Sequence, residues 1–193
     1  PPYAFHLGLF VFCSGYFYKE NAEEHPLKYI WKKMKKLIIP LYLWNFVYAI
    51  IVTVLSYQGF TIGSPVTADA LLILPITDGH QFMYNLGGWF VVPLFMVEIT
   101  TLFIRILYKK IFCHRHSHKQ KGQGRSNITE IALFFILMMI GLSGVSIASL
   151  GYNTGIWLVL VRMMYFMPFY GLGILYKAFL ENIDKVSNTI YFV

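Results

Sequence analysis

The stretch "LIIPLYLWNFVYAIIVTVLSY", residues 37–57, contains no charged side chain. A helix needs about 20 mostly apolar residues to cross the roughly 30 Å hydrocarbon core of a bilayer. Residues 37–57 are long enough and apolar enough to meet this requirement. They therefore predict a membrane-spanning helix, and this expectation sets how the rest of the chain is interpreted.

Similar apolar runs lie on both sides of this stretch. With it, they predict five spans, at residues 2–18, 37–57, 86–107, 128–150 and 156–176. The segment Ala68–Gly79 is too short to span and predicts an interfacial or re-entrant piece. The expected fold is an all-α, polytopic transmembrane helix bundle in which residues 1–193 form part of a single domain.

The composition agrees with a membrane protein. Hydrophobic residues make up 57% of the chain and charged residues 13%, and the formal net charge is +7. A typical soluble domain carries about 25% charged residues. The basic residues are few and clustered between apolar runs, so membrane topology explains the positive charge better than nucleic-acid binding does.

The basic residues also predict the topology. Of the 16 lysines and arginines, 15 lie in segments 19–36 and 105–127 or after the fifth span, and loops 58–85 and 151–155 contain none. The positive-inside rule then places loops 19–36 and 108–127 in the cytoplasm. The expected location is a cell membrane, most simply a bacterial plasma membrane, with the lipid bilayer as the first partner.

Polar groups inside apolar runs are the candidate site residues, because ionisable groups at membrane depth are costly and tend to mark function. Glu98 lies near the middle of the third span and Arg162 in the outer part of the fifth, so the two side chains are candidates for an ion pair. Such a pair serves either packing or a polar cavity. His6 and Asn45 are further buried polar candidates, and interhelical hydrogen bonding is the default role of Asn45.

Other features have plain structural interpretations. Gly8 and Gly15 share one face of the first span, and Gly141, Gly144 and Gly173 lie in the last two, which predicts close helix packing. Lysines at Lys32–Lys36 indicate either a positive-inside anchor or a rim that binds phosphate. Two cysteines give no disulfide framework or zinc spacing, and alternating His114, His116 and His118 predict a solvated linker, so no metal is expected.

Four segments, taken in order, resemble the membrane acyltransferase-3 family, whose members O-acylate sugars and other surface acceptors. They are "FHLGLFVFCSGYFYKE", "YIWKKMKKLIIPLYLWN", "LGGWFVVPLFMVEI" and "RMMYFMPFYGLGILYK". Order and spacing match over most of the chain. Gly8 stands where the family usually has proline, and Lys33 and Lys36 stand where arginine is usual, which keeps the charge but loses bidentate recognition.

The resemblance implies an enzyme that transfers an acyl group, usually acetyl, from acyl-coenzyme A to a hydroxyl of an extracytoplasmic carbohydrate or glycolipid. It implies no permanently bound cofactor. Lys33 and Lys36 are expected to hold the donor's phosphates, and a histidine is expected to act as general base. Supporting positions in the cavity are expected at His6, Asn45, Trp89, Glu98 and Arg162.

The family's leading helix, with its proposed catalytic histidine, is expected upstream of residue 1, with further helices after Val193. On that expectation the chain is a fragment, its activity without the missing helices is an open question, and His6 is a neighbour of the catalytic histidine. Two alternatives remain open. One is a transporter or flippase, in which Glu98 and Arg162 serve coupling or gating. The other is a non-catalytic protein of envelope assembly.

Overall fold

A computed structural model describes residues 3–19, 22–60, 66–77, 85–113 and 123–179. Within these ranges every regular element is helical. The helices are α1 Tyr3–Tyr16, α2 Pro26–Lys33, α3 Ile39–Tyr57, α4 Ala68–Leu72, α5 Leu74–Thr77, α6 Val91–Cys113, α7 Gln123–Ser149 and α8 Gly155–Phe179. A π-helical turn, Met34–Ile38, joins α2 to α3, and a 3₁₀ turn, Leu86–Phe90, leads into α6.

The expected all-α bundle is confirmed. In the described part of the chain, four helices are long and apolar enough to cross a membrane: Pro26–Tyr57, Gly87–Ile111, Ile128–Ser149 and Gly155–Phe179. The first predicted span corresponds to α1, whose 14 residues cover only about 21 Å at 1.5 Å per residue. The protein is thus a multi-pass helical membrane protein.

The structure differs from the predicted loop 19–36, because the chain is helical from Pro26 onward. Proline at the first helical position has the backbone angle that a helix start needs, and no glycine or second proline interrupts the next residues. Pro40 then lacks the N–H that would bond the carbonyl of Lys36, so the helix widens locally. The Ile39 N–H bonds Met34 O, five residues back, and α2 and α3 form one continuous helix.

Glycines bring α8 into close contact with its two main partners, as the sequence predicts. A Cβ atom added at Gly15 of α1 would lie 2.1 Å from the Tyr170 carbonyl oxygen, and one added at Gly173 would lie 2.0 Å from Phe12 O. A Cβ at Gly141 of α7 would lie 2.3 Å from Pro168 Cγ. The predicted close-packing positions are therefore confirmed, and α8 is the centre of the bundle.

The core lies where α1 and α6 meet α8. It is built from buried side chains of these helices, including Val11, Leu94, Val97, Met167 and Tyr170. A smaller cluster of Leu41, Val92 and Val159 joins α3 to α6 and α8. Many large apolar side chains of α3 and α7 remain exposed, as expected for surfaces that contact lipid.

The short segment predicted at Ala68–Gly79 contains α4 and α5 in its described part. The Thr67 hydroxyl accepts a hydrogen bond from the Ala70 N–H at 3.2 Å, which caps the start of α4. The Tyr42 hydroxyl of α3 donates to Leu72 O at 2.8 Å and ties α4 to the bundle. The predicted solvated linker with His114, His116 and His118 lies outside the described residues.

Candidate functional site

Glu98 is fully buried at the point where α1, α2 and α6 converge. The Ser14 hydroxyl of α1 donates a hydrogen bond to Glu98 Oε1 at 2.6 Å. The Lys33 ammonium of α2 forms an ion pair with the same oxygen. Three separate elements thus contribute to one charged contact inside the bundle, which we call the Glu98 cluster.

Lys33 differs from its neighbours because of its place on the helix. Tyr29, Ile30, Lys33 and Leu37 recur at helical spacing on the face that packs against the core. The Lys33 ammonium lies 5.4 Å from the centre of the Tyr29 ring, and its side chain is 22% exposed. Because an unpaired charge inside a protein costs several kcal/mol, the Lys33 ammonium offsets much of the cost of burying the Glu98 carboxylate.

The Glu98 cluster has spare hydrogen-bonding capacity. Glu98 Oε2 is buried and has no hydrogen-bond partner within the described residues, and the buried hydroxyls of Tyr29 and Tyr170 lie next to each other. The two phenols and the carboxylate lie close enough to interact electrostatically. Since buried polar atoms nearly always have partners, this interior can bind water or a protic group of a ligand.

A second ionic cluster, centred on Arg105, lies on the same face of α6, about two turns closer to the C-terminal end of the helix. The Arg105 guanidinium donates two hydrogen bonds to Glu130 of α7, at 2.6 and 2.7 Å, and a third to Glu23 Oε1 at 2.6 Å. It also lies 4.9 Å from the centre of the Tyr18 ring, and Lys109 pairs with Glu23. This cluster fixes the segment before α2 and the start of α7 to α6.

The Arg105 cluster also changes the acidity of two groups outside the spans. Burial would raise the pKa of Glu23, but hydrogen bonds from Arg105 and Lys109 outweigh it and hold that pKa below its usual range. Burial raises the pKa of the Tyr18 hydroxyl, so this group is neutral in the folded protein. The cluster therefore places the Arg105 guanidinium next to a Glu23 carboxylate whose ionised form it stabilises.

The other half of the bundle contains Asn45, Trp89 and Arg162. The Asn85 side-chain amide donates to Asn45 Oδ1 at 2.7 Å. The Arg162 guanidinium lies 4.6 Å from the centre of the Trp89 ring, a cation–π contact. These are two contacts, one between amides and one between a cation and an aromatic ring, and neither includes a residue of the Glu98 cluster.

Glu98 and Arg162, the candidates for an ion pair, do not pair with each other, because Glu98 pairs with Lys33. The reason is depth: Arg162 precedes Tyr170, a neighbour of Glu98, by eight residues, which is about 12 Å along α8. His6 is similarly about 12 Å along α1 from Ser14, and its side chain is exposed. Lys36 is exposed as well. Of the expected site residues, the structure therefore brings together two separate pairs, Lys33 with Glu98 and Trp89 with Arg162.

Sequence reasoning missed Ser14 as a donor, the phenols of Tyr29 and Tyr170, and the Arg105 cluster. One signal was present: Glu98, Thr101 and Arg105 recur at helical spacing, which places them on one face of α6. A polar stripe of this kind inside an apolar helix indicates an internal surface. The partners on other helices carry no comparable signal, because they are 25 to 84 residues away in sequence.

The helices and their buried ion pairs define the class: a multi-pass membrane protein with a polar interior. Comparison with known families makes this more specific, because residues 2–193 match the family model described as an acyltransferase domain, of the acyltransferase-3 type. The chain therefore belongs to the acyltransferase-3 family and is part of a membrane acyltransferase. No curated protein and no solved structure gives a significant match.

Proposed function

We propose that this chain belongs to an O-acyltransferase of the cell membrane. The enzyme takes an acyl group, most simply acetyl, from cytoplasmic acyl-coenzyme A and transfers it to a hydroxyl of an extracytoplasmic carbohydrate or glycolipid. The observation that carries the proposal is the Glu98 cluster, in an acyltransferase-family chain. It puts a lysine and a carboxylate oxygen that has no partner among the described residues inside an apolar bundle, directly next to a helix rich in exposed lysines.

The lysines divide into two roles under this proposal. Lys36 is exposed and offers a point charge for the donor's phosphates. Lys33 lies one helical turn earlier and points inward, where Glu98 holds its ammonium in the bundle. A donor bound at Lys36 would therefore extend its thioester arm toward a polar interior and not toward lipid.

The acceptor would approach from the opposite half of the bundle. Asn45 offers a buried amide N–H group with no partner in the described residues, and Trp89 with Arg162 adds an aromatic and cationic surface. In the reaction, a histidine base removes the acceptor's proton, and the hydroxyl oxygen attacks the thioester carbonyl. The carbon–sulfur bond then breaks, and the thiolate takes up a proton, so an ester and free coenzyme A are formed. We assign His6 a supporting role in this proton transfer.

Acyl transfer from labelled acetyl-coenzyme A, in membranes that contain the full-length protein, tests the proposal. Lys36→Ala should raise the KM for the donor several-fold, while the matched exposed-lysine variant Lys19→Ala should leave it unchanged. His6→Gln should lower kcat with little effect on donor affinity. Movement of a substrate across the membrane without any acyl transfer would contradict the proposal and favour the transporter alternative.

A further inference from the structure

One surface of the continuous α2–α3 helix carries exposed lysines to which the proposed reaction assigns no role. Lys28, Lys32 and Lys35 are exposed on α2 and the π-helical turn, at spacings of four and three residues. None of the three pairs with a carboxylate among the described residues. Three like charges are thus held side by side without internal compensation.

The direction of this lysine surface is fixed by packing. Tyr29, Ile30 and Lys33 occupy the inward face of the same helix, against the core and Glu98. The helix cannot rotate to hide the other lysines without breaking the Lys33–Glu98 pair. Lys28, Lys32 and Lys35 must therefore face outward, away from the polar interior.

An apolar strip continues directly from the lysines. Ile39, Leu43, Phe46 and Ile50 follow Lys35 at spacings of four, four, three and four residues, and all are exposed. From Ile39 to Ile50 the strip is about 16 Å long, which is about half of a 30 Å hydrocarbon core. The surface therefore has cations at one end and an apolar length of one leaflet beyond them.

Two further side chains identify the level of the lysines in the bilayer. Leu27 and Trp31 are exposed beside them, and the Lys35 ammonium lies 5.1 Å from the centre of the Trp31 ring. Tryptophan and lysine with a buried stem are typical of the interface between headgroups and hydrocarbon. A soluble phosphate compound would not require these exposed apolar groups.

We propose that this surface binds an anionic phospholipid of the cytoplasmic leaflet. Lys28, Lys32 and Lys35 contact the headgroup phosphate, and the strip from Ile39 to Ile50 contacts the acyl chains. Basic residues close to a membrane span are attracted to the anionic lipids of that leaflet. This site uses Lys28, Lys32 and Lys35, whereas the proposed donor site uses Lys36, which follows Lys32 by four residues on the same helix.

Native mass spectrometry of the full chain tests this site, with phosphatidylglycerol and phosphatidylcholine of identical acyl chains as probes. We expect the wild-type chain to prefer phosphatidylglycerol, and Lys28→Gln/Lys32→Gln to weaken that preference on the order of tenfold. The control Lys19→Gln/Lys110→Gln removes the same charge elsewhere and should keep the preference. Neither pair of lysines has an ion-pair partner among the residues that the structure describes, so folding is not expected to change.

Two results would overturn the proposal. One is an equal loss of preference in the control, which would show that only total charge matters. The other is displacement of bound phosphatidylglycerol by glycerol 1-phosphate at comparable concentration, which would show a site for soluble phosphates without use of the apolar strip. Retention of the lipid against glycerol 1-phosphate supports the site.

Discussion

At the scale of single residues, the charge balance of Glu98 is the most consequential feature. A carboxylate that is fully buried in an apolar helix requires a cation, and Lys33 supplies it from another element. A buried pair of this kind contributes little net stability compared with apolar side chains, but breaking it is costly. Glu98 and Lys33 should therefore behave as one unit when they are mutated.

Lys33→Met should destabilise the protein by about 3 kcal/mol, because it leaves Glu98 buried without its cation. The double variant Lys33→Met/Glu98→Gln should regain most of that loss, since no unpaired charge remains. Thermal unfolding of the single and double variants in detergent gives the comparison. Simple addition of the two single effects would contradict the pairing.

The titration of Glu23 gives a second prediction for a single residue. Its pKa is lower in the folded state than its ordinary value of 4.5, so the stabilisation is present above that pH and is lost as the pH falls through the folded value. Glu23→Gln should therefore lower the melting temperature at pH 7 but have progressively less effect toward pH 3. Glu24→Gln, at an exposed neighbour, should show no such trend.

At the scale of the elements, the contact of α1 with α8 depends on two glycines. At Gly15 and Gly173 the backbones of α1 and α8 lie so close that there is no room for a Cβ atom. In a membrane, where lipid is as apolar as the side chains, this close approach is a main source of helix association. The short helix α1 is held in the bundle in this way and carries Ser14 to Glu98.

Gly15→Ala should separate α1 from α8 and cost about 2 kcal/mol, because its Cβ would overlap the Tyr170 carbonyl oxygen. It should also weaken the Ser14–Glu98 hydrogen bond. Gly87→Ala is the matched control, since a Cβ there meets no atom within 4 Å. Equal melting temperatures for the two variants would mean that this helix contact is not close in the membrane.

At the scale of the whole molecule, the fold class could be predicted from the sequence. An apolar run of about 20 residues is the length that a membrane-spanning helix needs, and such runs recur along the chain. The helix at Pro26–Lys33 was not predicted, since its lysines resemble those of a loop. That Tyr29 and Lys33 face inward can be recognised only from the structure, which shows the core and Glu98 against which they pack. Hydropathy gives the depth of Glu98 but not the helix that faces it, so Lys33 could not be chosen over Arg162 as its partner.

Both functional proposals depend on the orientation of the bundle in the membrane. The lysine-bearing helix α2 must face the cytoplasm if acyl-coenzyme A and anionic lipid are its ligands, and the end of α3 at Gln58 must face the opposite side. Labelling of single cysteines from each side of sealed membranes measures this, after replacement of Cys13 and Cys113 by serine. The account predicts that Lys28→Cys reacts only from the cytoplasmic side and Gln58→Cys only from the external side. Labelling of Lys28→Cys from outside would contradict it.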